Sequence, residues 1–147
     1  MMKRQRPYIL ISNDDGFFAK GINFLIDTLK DEADIIVVAP DSARSGYGLA
    51  ITSMLPIQAE LLKDEDHLKV YACTGTPGDC IKLALNRLVE RKPDLIISGI
   101  NHGDNSSVNS HYSGTMGAAS EGALQGIPAI AFSLCDHRDD ANFQPLK

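Results

Sequence analysis

Three cysteines are all the sequence holds, and Cys73, Cys80 and Cys135 form no CxxC pair. Their odd number and scattered spacing fit a reducing cytoplasm better than a disulfide framework. Basic residues are also in the minority: 14 Lys and Arg stand against 19 Asp and Glu, for a net charge of -5. That balance argues against a broad surface for a nucleic-acid polymer or a membrane. An anionic substrate would have to be drawn in locally, by a metal or by backbone N–H groups. No apolar run approaches the roughly 20 residues of a membrane span. The basic start at Lys3, Arg4 and Arg6 is followed by an apolar run too short for an export signal, ending in Asp14-Asp15. A cytoplasmic protein is therefore expected. Repeats, low-complexity tracts and linkers are absent too. What remains is 147 residues with 44% hydrophobic and 22% charged composition. This suits a single globular domain able to bury about 68–70% of its unfolded surface.

The chain reads as alternating strands and helices. Tyr8-Ile9-Leu10-Ile11-Ser12 is a short apolar run, hence a buried strand, and Asn13-Asp14-Asp15-Gly16 stands at its end. From Ala19 to Ala33 the spacing of Ile22, Leu25, Ile26 and Leu29 predicts a helix. Asp34 to Ala39 is a second strand, β-branched on both faces and so expected to be parallel and covered by helices. Residues 41–48 form a polar loop. Leu49–Ser53 and Ile57–Leu62 read as strands parted by Pro56, with Lys63-Asp64-Glu65-Asp66 a solvated tip and His67–Ala72 a half-exposed strand. Thr76 is placed as an N-cap with Pro77 after it and Asp79 reaching back, opening a helix through Val89. Pro93 to Ser98 is another buried strand, and Gly99-Ile100-Asn101-His102-Gly103 is a polar turn after it. Ser113-Gly114-Thr115 opens a helix of small residues (Met116, Ala118, Ala119, Ala123, Leu124) that Gly126 stops. Pro128 to Ser133 is the last strand, and no packed element is expected from Asp136 to Lys147. The order gives a three-layer α/β/α Rossmann-like domain with a largely parallel sheet and a small antiparallel insertion or edge near 49–72.

Ligands of open α/β sheets bind beyond the carboxyl ends of the strands. Three turns there carry Asp14 and Asp15, then Ser45, then Asn101. Two adjacent acids repel and lose solvation, so a cation or a shared proton must compensate. The alternative is a helix cap followed by a first-turn acid. Four oxygen donors without sulfur suit a hard ion such as Mg²⁺ or Mn²⁺. Ser45 as a turn former and Asn101 as an Asx turn are competing readings. Ser113-Gly114-Thr115 offers free N–H groups to an anion, or is an ordinary cap. Gly75 to Asp79 has the same ambiguity and leans structural. His102 reads as a proton donor or as a hydrogen-bonded support. His111 and Tyr112 shape the entrance to the next helix. Tyr47 reads as an exposed loop aromatic or a base-stacking residue.

Four blocks then recur in order: Ile11-Ser12-Asn13-Asp14-Asp15-Gly16; Val38-Ala39-Pro40-Asp41 with Ser45-Gly46; Gly75-Thr76-Pro77-Gly78-Asp79-Cys80; and Ser98-Gly99-Ile100-Asn101-His102-Gly103 with Tyr112-Ser113-Gly114-Thr115. Together they resemble the SurE (survival protein E) family of metal-dependent nucleotidases, over roughly residues 8–134. The resemblance implies a cytoplasmic phosphatase acting on nucleoside 5′- and 3′-monophosphates, with polyphosphate as a further substrate. It implies one divalent cation, Mg²⁺ or Mn²⁺, held by Asp14, Asp15, Ser45 and Asn101, with Asp14 and Asp15 catalytic. The phosphate would meet Asn101, Ser113, Gly114 and Thr115, with Asn13 and His102 supporting the ligands from behind. Family members form homodimers or tetramers and carry a further hairpin and an exchanged C-terminal arm. This chain is expected to be a single catalytic domain, 1–147, without them. Gly78 stands where Ala is common, and Tyr47-Gly48-Leu49-Ala50 departs from the more polar sequence usual there. The rival readings are a truncated domain, non-catalytic or deficient in oligomerisation, and a receiver-type phosphoacceptor domain. The receiver needs a Lys ending a late strand, and the last strand here ends in Ser133-Leu134.

Overall fold

The computed structural model describes residues 6–146. Lys3, Arg4 and Lys147 lie outside the described residues. One sheet contains β1 (Tyr8–Ser12), β2 (Asp34–Pro40), β3 (Ala59–Glu65), β4 (Leu68–Cys73), β5 (Leu95–His102) and β6 (Ala129–Leu134). Their spatial order is β3-β4-β2-β1-β5-β6. Every neighbouring pair is parallel except β3 with β4. The helices are α1 (Lys20–Leu29), α2 (Pro77–Leu83) and α3 (Gly114–Leu124); a π-helical turn, Ala84–Leu88, extends α2, and short 3-10 helices form at Ser107–Tyr112 and Gln144–Leu146.

The strand sequences explain the layering. Successive side chains of a strand point to opposite faces, so a strand apolar at every position needs cover on both. Ile9, Ile11, Ile35 and Val37 join Ile22, Leu25 and Ile26 of α1 in one core. Leu10, Ile36 and Val38 join Ile81 of α2 and Ala118 of α3 in the other. The expected α/β/α architecture is thus present.

Several boundaries differ from the sequence-based expectation. Helix α1 ends at Leu29, because the chain turns through residues 30–33 to enter β2. No strand forms over Leu49–Ser53. That segment hydrogen-bonds to side chains at the start of α2 instead of to a neighbouring strand. The charged stretch Lys63 to Glu65 lies inside β3, whose residues from Glu60 onward are all exposed. Charges on an edge strand discourage pairing with another chain. β5 runs on through Asn101 and His102, because β6 pairs with both, Asn101 opposite Ser133 and His102 opposite Leu134. In α3 the buried residues are Gly114, Thr115, Gly117, Ala118, Ala119 and Gly122, whereas Ala123 and Leu124 are exposed. Gly126 follows with φ +70°, as a helix stop. The tail also packs. Phe143 is buried in the α1 core, its ring 5.9 Å from that of Phe24.

Candidate active site

The strand order decides where a site can form. From β1 the chain moves outward to β2 and β4, then returns to place β5 on the other side of β1. The crevice between β1 and β5 is the switch point at which such sheets bind ligands. Ser12 and Ser98 are register partners there. Asp14-Asp15 therefore leaves one side of the crevice, and Asn101 lies on the strand that forms the other.

A cleft of about 390 Å³ opens at this point, and Asp14, Asp15, Ser45, Asn101 and Ser113 all line it. The four expected oxygen donors are thus brought together. Asp14 is 4% exposed. Its Oδ1 accepts a 2.6 Å hydrogen bond from Thr115 Oγ1, and its backbone carbonyl accepts one of 2.7 Å from the Arg44 N–H. The second bond ties the loop bearing Ser45 to the acid pair. Gly114 is needed for this approach, since a Cβ there would lie 2.7 Å from the Asp14 Cβ.

Asp15 Oδ2 accepts from the backbone N–H of His102 at 3.2 Å. Burial, then the neighbouring Asp14, raise its carboxyl above the usual range, and the His102 N–H only partly offsets them. Among the described residues no Lys or Arg forms an ion pair with either acid. Asn101 donates from Nδ2 to the Gly103 carbonyl at 3.0 Å, which leaves Oδ1 as its free group. No three His, Cys, Asp or Glu side chains cluster among the described residues. The set on offer is two carboxylates, a hydroxyl and an amide oxygen. It fits a hard divalent cation, and the raised Asp15 marks a negative field that such an ion would relieve.

Other expected residues have narrower places. Asn13 is fully buried and closes the turn after β1, accepting from Gly16 N at 3.2 Å and donating to Gly16 O at 2.8 Å. Ser113 caps α3, accepting from the Met116 N–H at 3.1 Å. Thr76 and Asp79 form a full capping box, and Asp79 also holds Thr52, so the Gly75 to Asp79 turn is structural. The His102 ring leans on Phe143, and its Nε2 has no hydrogen-bond partner. Sequence reasoning missed the Thr115–Asp14 bond and the presence of His137 in the cleft wall. The first was signalled only by Thr115 standing in the first turn of α3, which packs on β5. The second carried no local signal.

Comparison with known proteins agrees with this fold. Residues 9–147 match the family described as Survival protein SurE. A protein named 5′-nucleotidase SurE from Bacteroides thetaiotaomicron is 59% identical over 98% of this chain and 56% of its own length. One of the same name from Christiangramia forsetii is 50% identical over 99% of this chain and 57% of its own length. The chain thus spans about half the length of the curated relatives it matches. The crystal structure of Sure protein from Aquifex aeolicus superposes with a TM-score of 0.83 at 40% identity, covering 95% of this chain and 55% of that one.

Proposed function

The chain belongs to the SurE family, and on that footing we propose that it is a metal-dependent phosphomonoesterase converting nucleoside 5′- and 3′-monophosphates to nucleoside and phosphate. The observation that carries the reading is the convergence of Asp14, Asp15, Ser45 and Asn101 in one cleft beside the start of α3. These four would hold one Mg²⁺ or Mn²⁺. A divalent ion there supplies neutralisation of phosphate charge and a lowered pKa for water.

The chain's own groups do the rest. Thr115 fixes one oxygen of Asp14, leaving the other to face the cleft. Asp15, oriented by the His102 N–H, would orient and deprotonate the attacking water. Asn101 presents its amide oxygen, because Gly103 engages its nitrogen. The N–H groups that open α3, at Gly114 and Thr115 beyond the Ser113 cap, receive the phosphate oxygens. Asn13 shapes the turn on which both acids stand. All these groups come from one chain, and the assembly proposed for it is the homodimer or tetramer of the family. Cys73, Cys80 and Cys135 are free thiols, in keeping with a cytoplasmic location. Among the described residues no helix is long and apolar enough to cross a membrane.

The test is phosphate release from nucleoside 5′- and 3′-monophosphates, with added Mn²⁺ and again after chelation. Release that stops on chelation and returns with the ion is expected. Release indifferent to chelation overturns the metal assignment, and no release from any nucleoside monophosphate overturns the function.

A further inference from the structure

The segment after β6 forms a strap over the carboxyl end of the sheet. It leaves β6 with Asp136 N–H bonded to the Leu134 carbonyl. Lys20 Nζ then donates to the Asp139 carbonyl, and Phe143 plugs into the α1 core. Asp136 and Arg138 pair with each other through two nitrogens of the guanidinium, at 2.7–3.2 Å. His137, between them, is left out of that pair and lines the cleft that holds Asp14, Asp15 and Asn101.

The ring's seat is specific. A Cβ on Gly103 would lie 2.5 Å from His137 Cε1, 3.1 Å from Nδ1 and 3.4 Å from Nε2. The imidazole therefore stands with its Cε1 nearest the Gly103 α-carbon. Gly103 has φ +137°, and its carbonyl is the group that fixes Asn101. Thus the strap sets an aromatic ring just outside the oxygen donors. The inner end of the cleft is carboxylate and amide, whereas its outer wall includes the exposed rings of Tyr112 and His137.

We infer that His137 is a specificity-determining residue whose ring stacks on the base of a nucleoside monophosphate while the phosphate occupies the inner end of the cleft. The inference rests on the proposed function. Stacking accepts any base, because every base has a π face. It adds affinity for the nucleoside and none for phosphate.

The experiment compares the wild-type chain with H137A and H137F, measuring KM and kcat for a nucleoside 5′-monophosphate and Ki for inorganic phosphate. H137A is expected to raise KM about tenfold, in line with the loss of one stacked base. The Ki of phosphate and kcat should hold, and H137F should restore KM. An unchanged KM in H137A, an equal rise in KM and phosphate Ki, or failure of H137F to restore KM overturns the inference. His137 is exposed, so its replacement leaves the core intact. A wild-type chain that hydrolyses no nucleoside monophosphate instead overturns the proposed function, and this inference falls with it.

Discussion

The two rims of the sheet differ in one pair of acids. At the amino ends of the strands, Asp34 is met by Arg6 at 3.3 Å and His67 at 2.8 Å, Asp94 by Arg91 at 3.0 Å, and Glu90 by Lys69. At the carboxyl ends, Asp14 and Asp15 stand side by side, and the described residues offer them only hydrogen-bond donors. The amino rim has the larger depressions, about 470 and 650 Å³ against 390 Å³. Size therefore does not mark the site. On the proposed function, an acid pair left without a Lys or Arg partner is the place for a cation from outside, whereas the acids named on the amino rim already have theirs.

The sharpest way to break this contrast is to neutralise the acids. Asp14→Asn and Asp15→Asn should each reduce phosphate release from a nucleoside monophosphate with Mn²⁺ by about 10²–10⁴-fold. Full activity in both variants would remove the acid pair from the chemistry. Thr115→Val comes next. It takes away the donor to Asp14 and leaves a buried carboxylate short of a partner, at a cost of about 1.5–3 kcal/mol. We expect a Mn²⁺ titration of this variant, followed by thermal shift, to show affinity about tenfold weaker or worse.

A smaller effect has the opposite sign. Burial and Asp14 raise the Asp15 carboxyl in the folded state, so its ionisation costs stability. In metal-free protein, stability should fall as pH rises from the ordinary value of 3.8 through the raised one. Asp15→Asn should remove that fall and lift the neutral-pH Tm by about 2–5 °C, while abolishing the rise in Tm that Mn²⁺ gives wild type. A lower Tm in this variant would mean that the site is not electrostatically strained. The least effect is expected on the other rim. His67→Ala breaks an exposed pair worth less than about 1 kcal/mol and should leave phosphate release unchanged. Loss of activity there would join the two rims functionally and undo the comparison.

Much of this was legible in the sequence. The strands of the centre declare themselves by being apolar at every position, a pattern that requires two covered faces. Asp14-Asp15 following such a strand was already a candidate, and the capping box at Thr76 and Asp79 could be read residue by residue. The failures share a cause. Leu49–Ser53 has the composition of a strand, but its hydrogen bonds go to Asp79, a partner distant in sequence. Asn101 looks like a turn residue because Gly99 precedes it, yet pairing with Ser133 keeps it in β5. The tail from Asp136 looks unpacked because, among the described residues, its one buried side chain is Phe143, and one residue makes no periodic signal.

Local pattern, then, determined the elements and the identity of the acids, because burial on one or two faces and turn chemistry are written at short range. Tertiary structure alone decided that Asp15 and Asn101 share a crevice, that Thr115 reaches Asp14 across 101 positions of chain, and that His137 overhangs the cleft. Those depend on strand order and on where a returning segment finds a free pocket in the core. Both are set by the packing of the whole domain, which no short stretch of sequence encodes.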